Sequence, residues 1–195
     1  MPITTLKVTL RHVQPPVWRR LRVPSSVTLA DLHTIFQVAL GWSGGHMHMF
    51  RIARDHYGVA DREDPDTQNE KKMTLDDVAK TTSRFVYAYD MGDGWEHDVV
   101  IEKTEPSGDL TCLDGKRAVP PEDCGGPHGY ENLLEALADP KHPEHASMKE
   151  WVGPYWKAEH FDIALVNKEL GRLAARWSKR AAAKPRLRLV KPATQ

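Results

Sequence analysis

Thr4-Thr5-Leu6-Lys7-Val8-Thr9-Leu10-Arg11-His12-Val13 runs into Gln14-Pro15-Pro16 and resumes as Val17-Trp18-Arg19-Arg20-Leu21-Arg22-Val23 before Pro24. Leu6, Val8 and Leu10 alternate with Lys7, Thr9 and Arg11, the period of a strand with one buried face. The prolines break that strand, and a second extended run follows after a very short connection. Two strands so joined predict an antiparallel hairpin.

Working outward, Thr28 with Asp31 three residues on is an acidic form of the capping box. Leu29, Leu32, Ile35, Phe36, Ala39 and Leu40 then recur at helical spacing, and Gly41 with Gly44-Gly45 ends the helix. His46 to Ile52 alternates as a strand, with His46, His48, Phe50 and Ile52 on one face. Arg54 to Lys72 is polar with weak periodicity and is predicted to be a long surface loop. Thr74 and Asp77 repeat the capping pattern before a short helix. Arg84 to Tyr89 and Trp95 to Lys103 are further strands, joined by Asp90-Met91-Gly92-Asp93-Gly94, a turn longer than a two-residue hairpin. Cys112 to Tyr130, rich in Gly, Pro and acid, is expected to be irregular. Three helices follow, over about 130–138, 143–152 and 161–178. The last is marked by Ile163, Val166, Leu170, Leu173 and Trp177 on one stripe. The prediction is α+β: an antiparallel or mixed sheet wrapped on one helix in a β-grasp-like order, with a helical C-terminal half.

The 195 residues suit one domain with a full core, expected over residues 1–178, followed by a basic and flexible segment over 179–195. Hydrophobic residues at 40% and charged residues at 28% are ordinary for a globular protein. No apolar run approaches the roughly 18 residues a membrane span needs. Met1-Pro2-Ile3-Thr4-Thr5 has no basic start leading to an apolar segment, so a cytoplasmic protein without membrane contact is expected. Cys112 and Cys124 then read as free thiols.

The net charge of zero hides a division. Arg172, Arg176, Lys179, Arg180, Lys184, Arg186, Arg188 and Lys191 stand in a C-terminal stretch with no acid, leaving the first 170 residues at a net charge of −8. A cationic end on an acidic body can meet nucleic acid or an acidic protein partner, and it can equally be a solvated tail.

Two stretches are unusual: Tyr89-Asp90-Met91-Gly92-Asp93-Gly94-Trp95-Glu96-His97 and Pro120-Pro121-Glu122-Asp123-Cys124-Gly125-Gly126-Pro127-His128-Gly129-Tyr130. Together with Pro16-Val17-Trp18-Arg19-Arg20, Gly41-Trp42 and His46-Met47-His48-Met49-Phe50, in this order, they resemble the Ri-plasmid ORF-3-like family from about Thr4 to about Leu173. The resemblance implies an α+β domain with no established activity. Some members are labelled as TnpR-like passenger proteins of insertion elements, which implies an association with mobile elements. No N-terminal nucleophilic serine set among arginines, as in a serine recombinase, is present. Many members carry a cysteine where this chain has Val119, a departure that weighs against a cysteine-based metal centre.

Candidate site residues follow from residue chemistry. Asp90, Asp93, Glu96, Glu122 and Asp123 flank glycines in two loops and, with Trp95, His97 and Tyr130, are candidates to bind a ligand or a divalent ion. Carboxylates in such turns also serve simply as acceptors for backbone N–H groups. His48 and His97 lie on strand faces that pattern as buried. Were those strands neighbours, His48, His97, Cys112 and Cys124 could hold zinc, although hydrogen-bonded core histidines explain the same pattern and no cofactor is required. Six tryptophans supply core, with Trp177 alternatively open to a base or partner surface. No nucleophile elbow is present, and no catalytic residue is assigned. The leading expectation is a non-enzymatic binding or accessory protein that contacts nucleic acid through its basic C-terminus. A metal-assisted hydrolase or small-ligand binder using the 90–97 and 122–124 loops, and a protein–protein adaptor, are the alternatives.

Overall fold

The opening hairpin forms as predicted, and the rest of the sheet grows from it on both sides. A computed structural model describes residues 1–60 and 64–183. Strands β1 (Ile3–Leu10) and β2 (Trp18–Pro24) pair antiparallel. Helix α1 (Leu29–Leu40) follows, then β3 (His48–Ile52), β4 (Asp55–Gly58) and β5 (Thr67–Asn69). A single 3-10 turn at Glu70–Lys72 leads to α2 (Leu75–Thr81). Strands β6 (Arg84–Tyr89), β7 (Trp95–Glu105) and β8 (Thr111–Lys116) complete the sheet. Helices α3 (Gly126–Ala138), α4 (His145–Val152) and α5 (Ile163–Ala183) form the C-terminal half.

The eight strands run in the order β5-β4-β3-β6-β7-β1-β2-β8. Their pairings are antiparallel except for β4 with β5 at one edge. Period-2 alternation sends Leu6, Val8, Leu21, Phe50, Phe85, Tyr87, Trp95 and Val99 to one face, where all are buried. Leu29, Leu32, Ile35 and Phe36 of α1 pack on that face and are fully buried. Each such side chain contributes roughly 1.5–3 kcal/mol by leaving water. Leu170 and Leu173 bring α5 to the same core. The opposite face is laced by ion pairs: Arg11 reaches Glu96 at 2.7 Å and Asp98 at 2.8 Å, Arg51 pairs with Glu96, and Arg20 pairs with Glu102 at 2.9 Å.

The two similar caps are joined in space. Thr28 Oγ1 accepts from the Asp31 amide, and Thr74 with Asp77 forms a complete reciprocal capping box. Leu29 N donates to Met73 O and Leu75 N to Val27 O, both at 2.9 Å, so the starts of α1 and α2 are stitched together.

Three expectations need correction. The 54–72 segment contains β4 and β5, strands of four and three residues whose order comes from pairing at a sheet edge rather than from their own pattern. The segment from Cys112 begins as β8, where pairing with β2 supplies what Gly and Asp withhold. Helix α5 continues past Ser178 to Ala183, so the start of the expected basic tail is helical.

Candidate functional site at a three-loop junction

The site is built by three turns that the sheet brings to one end. Helix α1 terminates at Gly41, whose φ of 89° lets its amide bond back to Gln37 O at 2.8 Å. The chain reverses, and Trp42 drops inward to stack on Tyr89, ring centroids 5.0 Å apart. Its indole Nε1 donates to Pro120 O at 3.0 Å, which draws in the proline-glycine segment. Glu122 of that segment then accepts from Tyr89 Oη at 2.7 Å, from Ser43 Oγ at 3.1 Å and from the Ser43 amide at 3.2 Å. Burial works to raise the Glu122 carboxyl's pKa, but these donors outweigh it and hold the group below its ordinary value. The same environment, burial first and the Glu122 carboxylate second, pushes the Tyr89 hydroxyl up to about 12.

The 90–94 turn locks onto the same junction. Asp90 Oδ1 accepts from the Gly92 and Asp93 amides at 3.0 and 3.3 Å, and the Asp90 amide donates to Met47 O at 2.9 Å. Asp93 Oδ2 accepts from the Gly125 amide at 3.3 Å. Gly126 passes so close that a Cβ there would sit 2.3 Å from Asp93 O, so no larger residue fits.

His46 stands at the centre. Its Nδ1 is 3.6 Å from Asp90 Oδ2 and its Nε2 is 3.6 Å from Asp123 Oδ1. One donor atom from each of these three residues can be chosen so that all lie within 4.8 Å of one another, and among the described residues this is the one such His/Cys/Asp/Glu group. Beside it opens a cavity of about 630 Å3 lined by His33, His46, Met47, His48, Val59 and Met91. Met47, Val59 and Met91 are exposed on its rim. Below, the His33 and His48 rings stack with centroids 3.5 Å apart. His48 Nε2 hydrogen-bonds Glu70 Oε2 at 2.7 Å, and His33 Nδ1 hydrogen-bonds Tyr87 Oη at 2.8 Å. Burial, then the neighbouring His48, lowers the His33 pKa to about 4, so this ring is neutral at pH 7.

Of the residues expected to bind a ligand, Asp90, Asp93, Glu122 and Asp123 meet here, from two loops 30 residues apart in sequence. The others do not. Trp95 and His97 point into the core, with 1% and 0% of their surface exposed. Glu96 lies on the opposite sheet face, held by Arg11 and Arg51. Tyr130 is buried on α3 against Trp156, and burial pushes its hydroxyl up to about 12. The four residues expected to hold zinc do not converge. Strand β6 separates His48 on β3 from His97 on β7. Cys112 sits on β8 at the far edge of the sheet. Cys124 follows Asp123, and burial with the nearby Asp93 carboxylate pushes its thiol up to about 12. Both cysteines are free.

His46 is the member of this cluster that the sequence did not single out. The alternation His46-His48-Phe50 assigns it to a strand, yet β3 begins at His48. The signal that finds it is Gly44-Gly45, which carries the loop up to its position.

On α5, Arg172, Arg176 and Lys179 share one surface concavity with Glu169, and Arg172 is paired to Glu169 at 2.6 Å. Arg180 lies on the same helix, and Lys184, Arg186, Arg188 and Lys191 lie outside the described residues. Among the described residues no helix is long and apolar enough to cross a membrane.

Fold and junction together define a class: an α+β sheet protein whose polar centre is assembled from loops at one end of the sheet. The chain belongs to the plasmid pRiA4b ORF-3-like protein family, whose sequence profile matches residues 2–165. It is 40% identical over 190 residues to a Sinorhizobium fredii (strain NBRC 101917 / NGR234) protein described as uncharacterized protein y4hQ, covering 93% of this chain and 97% of that one. It is also similar to a crystal structure described as a protein of unknown function, MM3350, from Methanosarcina mazei Go1. That match has a TM-score of 0.76 and 34% identity, covering 84% of this chain and 96% of the other.

Proposed function

We propose that this protein is a binding module for a small molecule, received in the cavity beside the three-loop junction. The observation that supports this most is a cavity of about 630 Å3 whose wall includes His46, the residue that Asp90 and Asp123 approach from outside it. Pockets that enclose small ligands span about 300–1,000 Å3 and combine apolar walls with a few placed polar groups. Met47, Met49, Met91 and Val59 supply the walls here, and His33, His46, His48, Asp64 and Thr67 supply the polar groups. The occupant they suit is largely apolar and flexible to accommodate, because methionine side chains repack around different shapes, with one polar head that can hydrogen-bond an imidazole.

The chain provides its own reporters, since three of its six methionines, Met47, Met49 and Met91, line the cavity. With 13C-labelled methionine methyls, titration of a small-molecule fragment library is expected to shift these three signals and leave Met73 still. Fragments that move no cavity methyl at about 1 mM, weaker than any specific pocket of this size should bind, count against the reading.

A second reading is an accessory nucleic-acid contact through the C-terminal cations, as the association of the family resemblance with mobile elements suggests. Its support is the shared surface of Arg172, Arg176 and Lys179 on α5. Binding through phosphates falls steeply with salt. The full chain is expected to retard single- or double-stranded DNA at low salt, and Arg172→Ala with Arg176→Ala and Lys179→Ala to weaken that retardation. No retardation by the full chain, or equal retardation by the triple variant, removes the reading.

A further inference from the structure

We propose that His46, Asp90 and Asp123 form a divalent-metal site beside the cavity, which His46 also lines. This deepens the reading of the cavity as a binding site, yet it can fail separately from it.

The argument begins with which carboxylates are already occupied. Glu122 accepts three hydrogen bonds from Tyr89 and Ser43, and Asp93 Oδ2 is held by the Gly125 amide. Both serve to fasten the loops. Asp90 differs: its Oδ1 is fixed by the Gly92 and Asp93 amides, while its Oδ2 accepts no hydrogen bond among the described residues. The Asp90 side chain is only 9% exposed, so this free oxygen is aimed into the junction from a nearly buried group. Carboxylate oxygens in that position are normally satisfied, and one held ready by bonds to its sister oxygen has the orientation a metal ligand needs.

The separations point the same way. Both His46–carboxylate distances are 3.6 Å, beyond the 2.7–3.2 Å of a hydrogen bond. Two donors each about 2.1 Å from one ion at a tetrahedral angle stand about 3.4 Å apart. The two distances run from different ring nitrogens, and one ion binds only one of them. Nδ1 and Asp90 Oδ2 therefore stand at a separation that suits shared coordination. Asp123, whose ligand atom lies within 4.8 Å of the other two, closes on the ion by a shift of its exposed side chain. Two carboxylates and a neutral imidazole carry a formal charge that one dication cancels. This mixed nitrogen and oxygen set suits Zn2+ or Mn2+ and does not suit soft Cu(I). Three protein ligands leave room for a fourth, and His46 also lines the cavity, so an oxygen of the bound molecule can complete the shell. The site draws one ligand from each of the three loops, which explains why the junction is fastened so thoroughly around it.

The test uses the full chain, stripped with chelator and titrated calorimetrically with Zn2+ and with Mn2+, alongside Co2+ absorption spectra. One ion per chain is expected. His46→Ala and Asp123→Ala should each weaken binding by about tenfold or more. Because Asp123 is 76% exposed, its replacement should leave the urea unfolding curve unchanged, which separates lost coordination from lost folding. His142→Ala, in the turn before α4, should bind as the parent chain does. Absence of saturable binding up to about 1 mM, or equal affinity in the His46 and Asp123 variants, overturns the proposal. Methionine-methyl titrations run in chelator distinguish the two failures. Fragment shifts without an ion leave the cavity standing and remove the metal, whereas an ion without fragment shifts does the reverse.

Discussion

Two regions of the molecule both bury charge, and they do so in opposite ways. At the β2–β8 end, Arg19 is 2% exposed and its guanidinium donates to Ala39 O, Trp18 O, Lys116 O and Arg117 O while lying 3.9 Å over the Phe161 ring. Nearby, Asn167 accepts from the Cys112 amide and donates to the Cys112 carbonyl, tying α5 to the sheet. Burial lowers the Arg19 pKa to about 10, still charged at pH 7. In the three-loop junction, Asp90 and Asp123 approach His46 and stop at 3.6 Å. A network whose donors and acceptors are matched is architecture, whereas one that leaves aimed groups unmatched has a place for something else.

Substitutions can break this contrast, beginning with the largest effect. Arg19→Met should cost about 3–5 kcal/mol in urea unfolding, because it strands buried carbonyls that a thioether cannot satisfy. Asp123→Ala in the junction should cost less than about 0.5 kcal/mol. Similar losses at both positions would erase the distinction. Next, Gly126→Ala meets Asp93 O and a φ of 70°, and should cost about 2 kcal/mol or more while abolishing metal binding. Unchanged binding in that variant would mean the loops do not depend on their close approach.

Acid should act through the histidines. Burial lowers His97 and His33 to about 4 from an ordinary 6.5. Between these values the unfolded chain binds protons that the folded chain refuses. Their contribution is therefore fully present above pH 6.5 and is lost as pH falls towards 4. One complete proton difference gives a slope of about 1.4 kcal/mol per pH unit. His97→Asn should flatten urea stability measured from pH 7.5 down to pH 4.5, and an unaltered slope would show that His97 is not the group that refuses the proton. Tyr89→Phe should act more mildly than Gly126→Ala. Loss of its bond to Glu122 should cost about 1 kcal/mol and loosen the junction without removing a ligand, so metal affinity should fall less than in His46→Ala.

The sequence carried the frame of this molecule because local rules wrote it. The hairpin, the capped helices and the 84–89 and 95–103 strands follow from alternation, helical spacing and Thr-x-x-Asp caps, and each formed, the last running on to Glu105. Strands β4, β5 and β8 were hidden because short or glycine- and aspartate-bearing segments become strands only through their partners. The turn at 90–94 and the segment to Tyr130 were conspicuous for their glycines and acids, and they do meet. Which acids face the junction was not legible. Glu96 and Asp93 are near in sequence, yet strand alternation sends Glu96 to the far face of the sheet. His46 was hidden by a period-2 pattern that extends two residues beyond the strand. Loop-borne distances across 30 or more residues leave no local trace.

The most direct measurement is an anomalous difference map from crystals of the full chain soaked in Mn2+. A single strong peak bounded by His46, Asp90 and Asp123 is the predicted result. A junction without a peak, in crystals whose loops stand as described, would contradict the claim that this end of the sheet is built to hold an ion.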